Sequence, residues 1–117
     1  SVKILPIMQP EAEENSSDAA IVLTVTGAHA YEMYLENARY IVTADSDTAI
    51  LSGRLGNLAD LKAQGADTLV FRTKSRETAL DIDAMLSLGV EDTLFALTHS
   101  GADARLTVGG VEHNELL

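Results

Sequence analysis

Hydrophobic side chains recur along this chain with two different periods, and the switches between periods mark its elements. From "AIVLTVTG" onward the spacing is two: "AYEMYLEN" sets Tyr31, Met33 and Leu35 on one face and Glu32, Tyr34 and Glu36 on the other. That alternation predicts two strands joined near "GAH". A second pair, "ARYIVTA" with "TAILSGR", is predicted around "DSD", where Asp and Ser side chains bond nearby backbone and favour a turn. The spacing lengthens in "NLADLKAQG". Here Asn57 serves as N-cap, Leu58 and Leu61 share a side, Lys62 complements the helix dipole late, and Gly65 supplies a left-handed stop. A helix of two turns does not hold alone in water, so this one needs a sheet beneath its leucines.

Upstream, "SVKILPIM" is an apolar run interrupted by Pro6, which suits an edge strand or extended arm because proline cannot donate to a ladder. The stretch "QPEAEENSSDA" is acidic and free of large apolar side chains, and it reads as a solvated linker. The expected organisation is therefore an arm plus linker over 1–18 and one folded domain over 19–117.

Downstream, the text repeats itself. "DTLVFRT" begins at Asp67 and "DTLFALT" at Asp92. When Thr43, Thr73 and Thr98 are aligned, an alanine follows six positions later each time, at Ala49, Ala79 and Ala104, across polar intervals that contain "ADSDT", "KSRET" and "HSGAD". Asn57 aligns with Asp81 as a helix start, Leu58 with Ile82, Leu61 with Met85, and Gly65 with Gly89. The third copy departs, placing Gly109-Gly110 where a hairpin turn could form; either a third helix or a final strand follows, and "EHNELL" is read as a last helical turn by analogy with the two earlier copies. The spacings are too irregular for an open solenoid. The fold class expected is α+β: mainly antiparallel β-hairpins with two or three short helices packed on the sheet, built from repeated hairpin-helix units. In "TLVFRT" and "TLFALT" both faces carry large apolar groups, so these strands are expected to be covered on two sides, by helices and by a second layer or a partner chain.

Composition narrows the function. With 117 residues, 46% of them hydrophobic, the chain fills one core of ordinary size. Its formal charge of −10 disfavours nucleic acid and anionic membrane surfaces, which need clustered Lys and Arg. No apolar run approaches the roughly 20 residues that span a bilayer, so no membrane insertion is expected of this segment, and the start lacks a signal-peptide pattern. Zero cysteines exclude disulfides and thiolate chemistry, but suit an exported protein as well as a cytoplasmic one. Few aromatics lower the prospects for sugar binding.

Motifs for chemistry are thin. His29, His99 and His113 lack ligand spacing, and His29 and His99 read as polar residues of hairpin turns. "DSD" at Asp45 to Asp47 lacks the glycine and distant glutamate of a calcium loop. Asp81 and Asp83 would suit paired carboxylates, but Asp81 already has a role as helix cap. No nucleophile elbow or phosphate loop occurs, and His99 beside Ser100 points away from it. No catalytic, metal or cofactor-binding residue is therefore assigned. The one local cluster of positive charge is Arg72, Lys74 and Arg76 in "RTKSR", a possible interaction patch for an acidic neighbour.

The segment "DLKAQGADTLVFRTKSRETALDIDAMLSLG" resembles repeat-bearing modules of uncharacterised bacterial secreted or surface proteins, over roughly residues 58–108. The resemblance implies an extracytoplasmic or cell-surface module without known catalytic residues. The reading that follows is a non-enzymatic binding or assembly module of an exported bacterial protein, with a protein partner or self-association. Two alternatives stand beside it: a small hydrolase or metal-dependent enzyme using His99 with Asp81 and Asp83, and a sensor domain for a cationic ligand, suggested by the charge.

Overall fold

The structure, a computed structural model, describes residues 3–4 and 23–117; the acidic linker and Pro6 lie outside the described residues. In chain order the strands are β1 (Lys3–Ile4), β2 (Thr24–Thr26), β3 (Tyr31–Glu36), β4 (Arg39–Ala44), β5 (Thr48–Arg54), β6 (Thr68–Arg72), β7 (Glu77–Asp81), β8 (Leu94–Ser100), β9 (Asp103–Val108) and β10 (Val111–Glu112). Helix α1 (Leu55–Ala63) follows β5, helix α2 (Ile82–Leu86) follows β7, and a 3-10 turn covers Asn114–Leu116. The strands form two five-stranded sheets, ordered β1-β3-β4-β6-β7 and β10-β9-β8-β5-β2. A sheet-dominated α+β fold is thus what the chain adopts.

Period two placed the right side chains inward. Tyr40, Val42, Leu69 and Phe71 of the first sheet share one core with Leu51, Phe95, Leu97 and Leu106 of the second. Leu55, Leu58 and Leu61 of α1 and Ile82 and Met85 of α2 join that core, so each helix is held by burial of its apolar stripe. Gly65 takes φ +108 and stops α1, as expected. Asn57 lies one turn inside α1 and is not its N-cap; from there its side chain accepts the Arg54 amide at 2.9 Å. The capping chemistry is correct and the start is three residues earlier, because Leu55 also has a buried place to occupy.

The expected pairings of β2 with β3 and of β4 with β5 are overturned, since the members of each pair sit in different sheets. Alternation fixes which residues face a core but not which strand lies beside which. The 45–47 turn shows why the chain changes layers: Asp45 N donates to Ala30 O, Ser46 O accepts from Lys74 N, and Asp47 O accepts from Gly101 N. Its backbone groups are satisfied by neighbouring loops and not by a hairpin partner. β4 instead runs parallel to β6, reached by a crossover through β5 and α1, while β5 pairs antiparallel with β2 and β8. Four hairpins are present among the described residues: β3–β4, turning on Asn37 and Ala38 with positive φ, β6–β7, β8–β9 and β9–β10. Gly109 and Gly110, both at positive φ, turn β9 into β10, so the third copy ends in a short strand and then the 3-10 turn.

Repeated hairpin-helix units are not what the structure shows. Thr43 and Ala49 lie in different sheets, Thr73 and Ala79 flank a hairpin of the first sheet, and Thr98 and Ala104 belong to a hairpin of the second. Ala49 is buried whereas Ala79 is exposed.

The double-sided apolar character of β6 has a local cause. Phe71 and Leu69 face the second sheet, while Val70, 0% exposed, faces the other way in a row with Tyr34 and Ile41. Across that row Arg39 reaches Glu77 at 3.7 Å, and Arg72 bonds Glu77 at 2.9 Å. Side chains of this length can cover a neighbouring apolar residue with their aliphatic stems while their charged ends stay in water.

Candidate functional site

The sequence singles out the basic cluster, the histidines with Asp81 and Asp83, and the polar turns. The structure brings the three turns together at one end of the molecule. Lys74 N donates to Ser46 O at 3.0 Å, Ser75 Oγ to Asp47 Oδ1 at 2.7 Å, Gly101 N to Asp47 O at 3.0 Å, and Arg76 Nη1 to Ala102 O at 2.9 Å. Two members of the basic cluster are committed within the chain: Arg72 to Glu77, and Arg76 to Thr78 and Ala102. The Glu77 carboxylate holds the Arg72 guanidinium above its ordinary pKa. Lys74 is exposed and forms no ion pair among the described residues.

His99 is not a turn residue. It lies in β8 beneath this loop cluster with no solvent exposure, its ring 4.6 Å from that of Phe71. Its Nδ1 is 2.9 Å from Thr73 Oγ1 and its Nε2 is 2.7 Å from Thr78 Oγ1, both on the opposing sheet's side. The surrounding bonds assign the protons. Thr73 Oγ1 donates to Arg76 O at 3.3 Å, which leaves it to accept from His99 Nδ1–H. Thr78 Oγ1 accepts from Arg76 Nε at 3.1 Å, which leaves its own proton for His99 Nε2. A neutral imidazole protonated at Nδ1 satisfies all four groups. Burial, helped by the nearby Arg76 charge, lowers the His99 pKa to about 4.

Asp81 caps α2, accepting from Ala84 N at 2.9 Å. Asp83 is exposed and pairs with Lys62 at 3.0 Å, holding that lysine's pKa up. Asp81 pairs with Thr68 at the far end of β7 from Thr78, about 10 Å along the strand, so His99 and the two aspartates are not brought together. His29 is exposed between β2 and β3, and His113 bonds Glu115 at 2.9 Å, which lowers the Glu115 pKa. Among the described residues no group of three or more histidines and carboxylates is placed to hold a metal ion.

The feature that sequence reading missed is on the outer face of the second sheet. There β2, β5, β8 and β9 align Thr24, Ser52, Ala96 and Thr107 in one cross-strand row. Beside that row Arg54 and Leu94 are direct partners across β5 and β8, and Leu94 is 61% exposed. These side chains line an open depression of about 570 Å³. Arg54 has no ion pair among the described residues, whereas Arg39, Lys62, Arg72 and Arg105 each have one. Alternation alone marks Ser52, Ala96 and Thr107 as outward-facing, but the row exists only because of strand pairings that the chain text does not specify. No protein-family model, curated protein or solved structure matches the chain.

Proposed function

We propose that the chain is a non-enzymatic binding module, of an exported bacterial protein as the resemblance implies, that holds an extended protein segment in the depression on the second sheet. The observation that carries this reading is the pairing of Arg54, a cation without an ionic partner, with the exposed Leu94 beside a row of hydroxyls. An apolar side chain of the ligand removes Leu94 from water, a neighbouring carboxylate takes the guanidinium, and Thr24, Ser52 and Thr107 supply hydrogen bonds. The net charge of −10 repels a polyanion, so one carboxylate next to an apolar residue fits better than an acidic run.

Panning random displayed peptides on the immobilised protein tests this. Enriched peptides should combine a large apolar residue with a carboxylate, and their affinity should fall about tenfold, near 1.4 kcal/mol, in both Leu94→Glu and Arg54→Glu. Peptides that bind both variants as tightly as the parent, or no enrichment at all, would overturn the reading.

A further inference from the structure

We propose that β1 is an exchangeable arm, which pairs with β3 of a second copy of this chain as it pairs with its own. This rests on the edge of the first sheet and is independent of the depression on the second.

β1 contributes two residues, Lys3 opposite Leu35 and Ile4 opposite Tyr34, to an edge six residues long. No other strand among the described residues pairs on that side of β3. A two-residue ladder is a weak hold, since an isolated strand pair is marginal in water even at hairpin length. Nineteen residues, 5–23, lie between β1 and β2 of the second sheet. Fully extended they reach roughly 60 Å, against a longest molecular extent of 36 Å, so the tether is long enough to seat β1 on an adjacent molecule. Within it, residues 9–18 carry four carboxylates and no large apolar side chain, so the composition of that stretch suits a solvated linker.

Exchange makes the same backbone bonds between chains as within one. Its free energy differs only by the tether's effective concentration and the cost of association, which is why swapping an identical element is a low-cost route to a dimer. The occupant is a second copy because the segment that fits this edge is already in the chain.

The chain has no cysteine, so introduced thiols report pairing directly. Full-length Ile4→Cys and Tyr34→Cys proteins are mixed in a glutathione redox buffer and the disulfide between them is quantified by intact mass. The comparison mixes Ile4→Cys with Ala79→Cys, an exposed position on the opposite edge strand. Exchange predicts that the first disulfide forms at least about tenfold faster than the second. Equal rates overturn the proposal. The pair Lys3→Cys with Leu35→Cys repeats the measurement in the adjacent register, so one poorly folded variant does not decide the result.

Discussion

Nε2 of His99 lies 2.7 Å from the hydroxyl of Thr78, and the two residues belong to different sheets. The neutral imidazole therefore ties the layers together at the loop end, and acid should loosen that tie. His99 titrates near its ordinary pKa of about 6.5 when unfolded and at about 4 when folded. The unfolded chain takes up the proton first, so the stability contributed by this group is fully present at neutral pH and drains away as pH falls from about 6.5 to about 4. Urea unfolding at pH 7 and pH 4.5 should differ by roughly 2–3 kcal/mol more in the parent than in His99→Gln. An equal loss in both proteins would assign the acid sensitivity to carboxylates instead.

The proton assignment is separately testable. Nitrogen NMR of His99 at neutral pH should show Nε2 as the unprotonated nitrogen, because Thr78 donates to it. Thr78→Val keeps the shape, removes that donor and should cost about 1–3 kcal/mol. Arg76→Ala takes away a cation that disfavours protonation, so the His99 pKa should rise toward its ordinary value. An unmoved His99 titration in Arg76→Ala would show that burial alone sets it.

Much of this was legible in the chain, but for a definable class of feature. Inward positions such as Met33, Leu69, Leu97 and Leu106 follow from local alternation, and the α1 stop at Gly65 and the α2 cap at Asp81 follow from local chemistry. Pairing does not. Whether β4 lies beside β5 or β6 depends on where the 45–47 turn finds backbone partners, and those are Ala30, Lys74 and Gly101, far apart in sequence. The burial of His99 and the row through Ser52 and Thr107 both depend on that long-range choice. A repeated text at Thr43, Thr73 and Thr98 suggested a repeated structure, whereas what recurs is a polar turn, and the three turns meet in space.

The two aspartates near α2 should behave unlike each other. Asp81→Ala leaves the Ala84 amide without its acceptor and should cost about 1 kcal/mol, because an N-cap satisfies a donor the helix cannot. Asp83→Ala breaks a solvent-exposed pair with Lys62 and should leave the thermal midpoint unchanged within error. Comparable destabilisation by both changes would count against these separate structural roles.

Gly65 and Gly89 occupy matching places in the repeated text, yet the structure requires glycine at each for a different reason. Gly65 has φ +108 with open space around it, so only backbone strain opposes a side chain. At Gly89 a Cβ would lie 2.9 Å from the Cβ of Thr93 and 2.5 Å from its hydroxyl, which also accepts the Val90 amide at 2.9 Å. Each Gly→Ala change should destabilise the protein, by about 1 kcal/mol at Gly65 and by 1–3 kcal/mol, approximately, at Gly89. The discriminating measurement is a double-mutant cycle in urea with Thr93→Ala. Removing the threonine's outer atoms gives the Gly89 substituent room, so the combined loss should fall short of the sum of the single losses, while Gly65→Ala with Thr93→Ala should be additive. Additivity at both positions would mean that the 87–93 loop relaxes away from Thr93, and that Gly89 is not held by this contact.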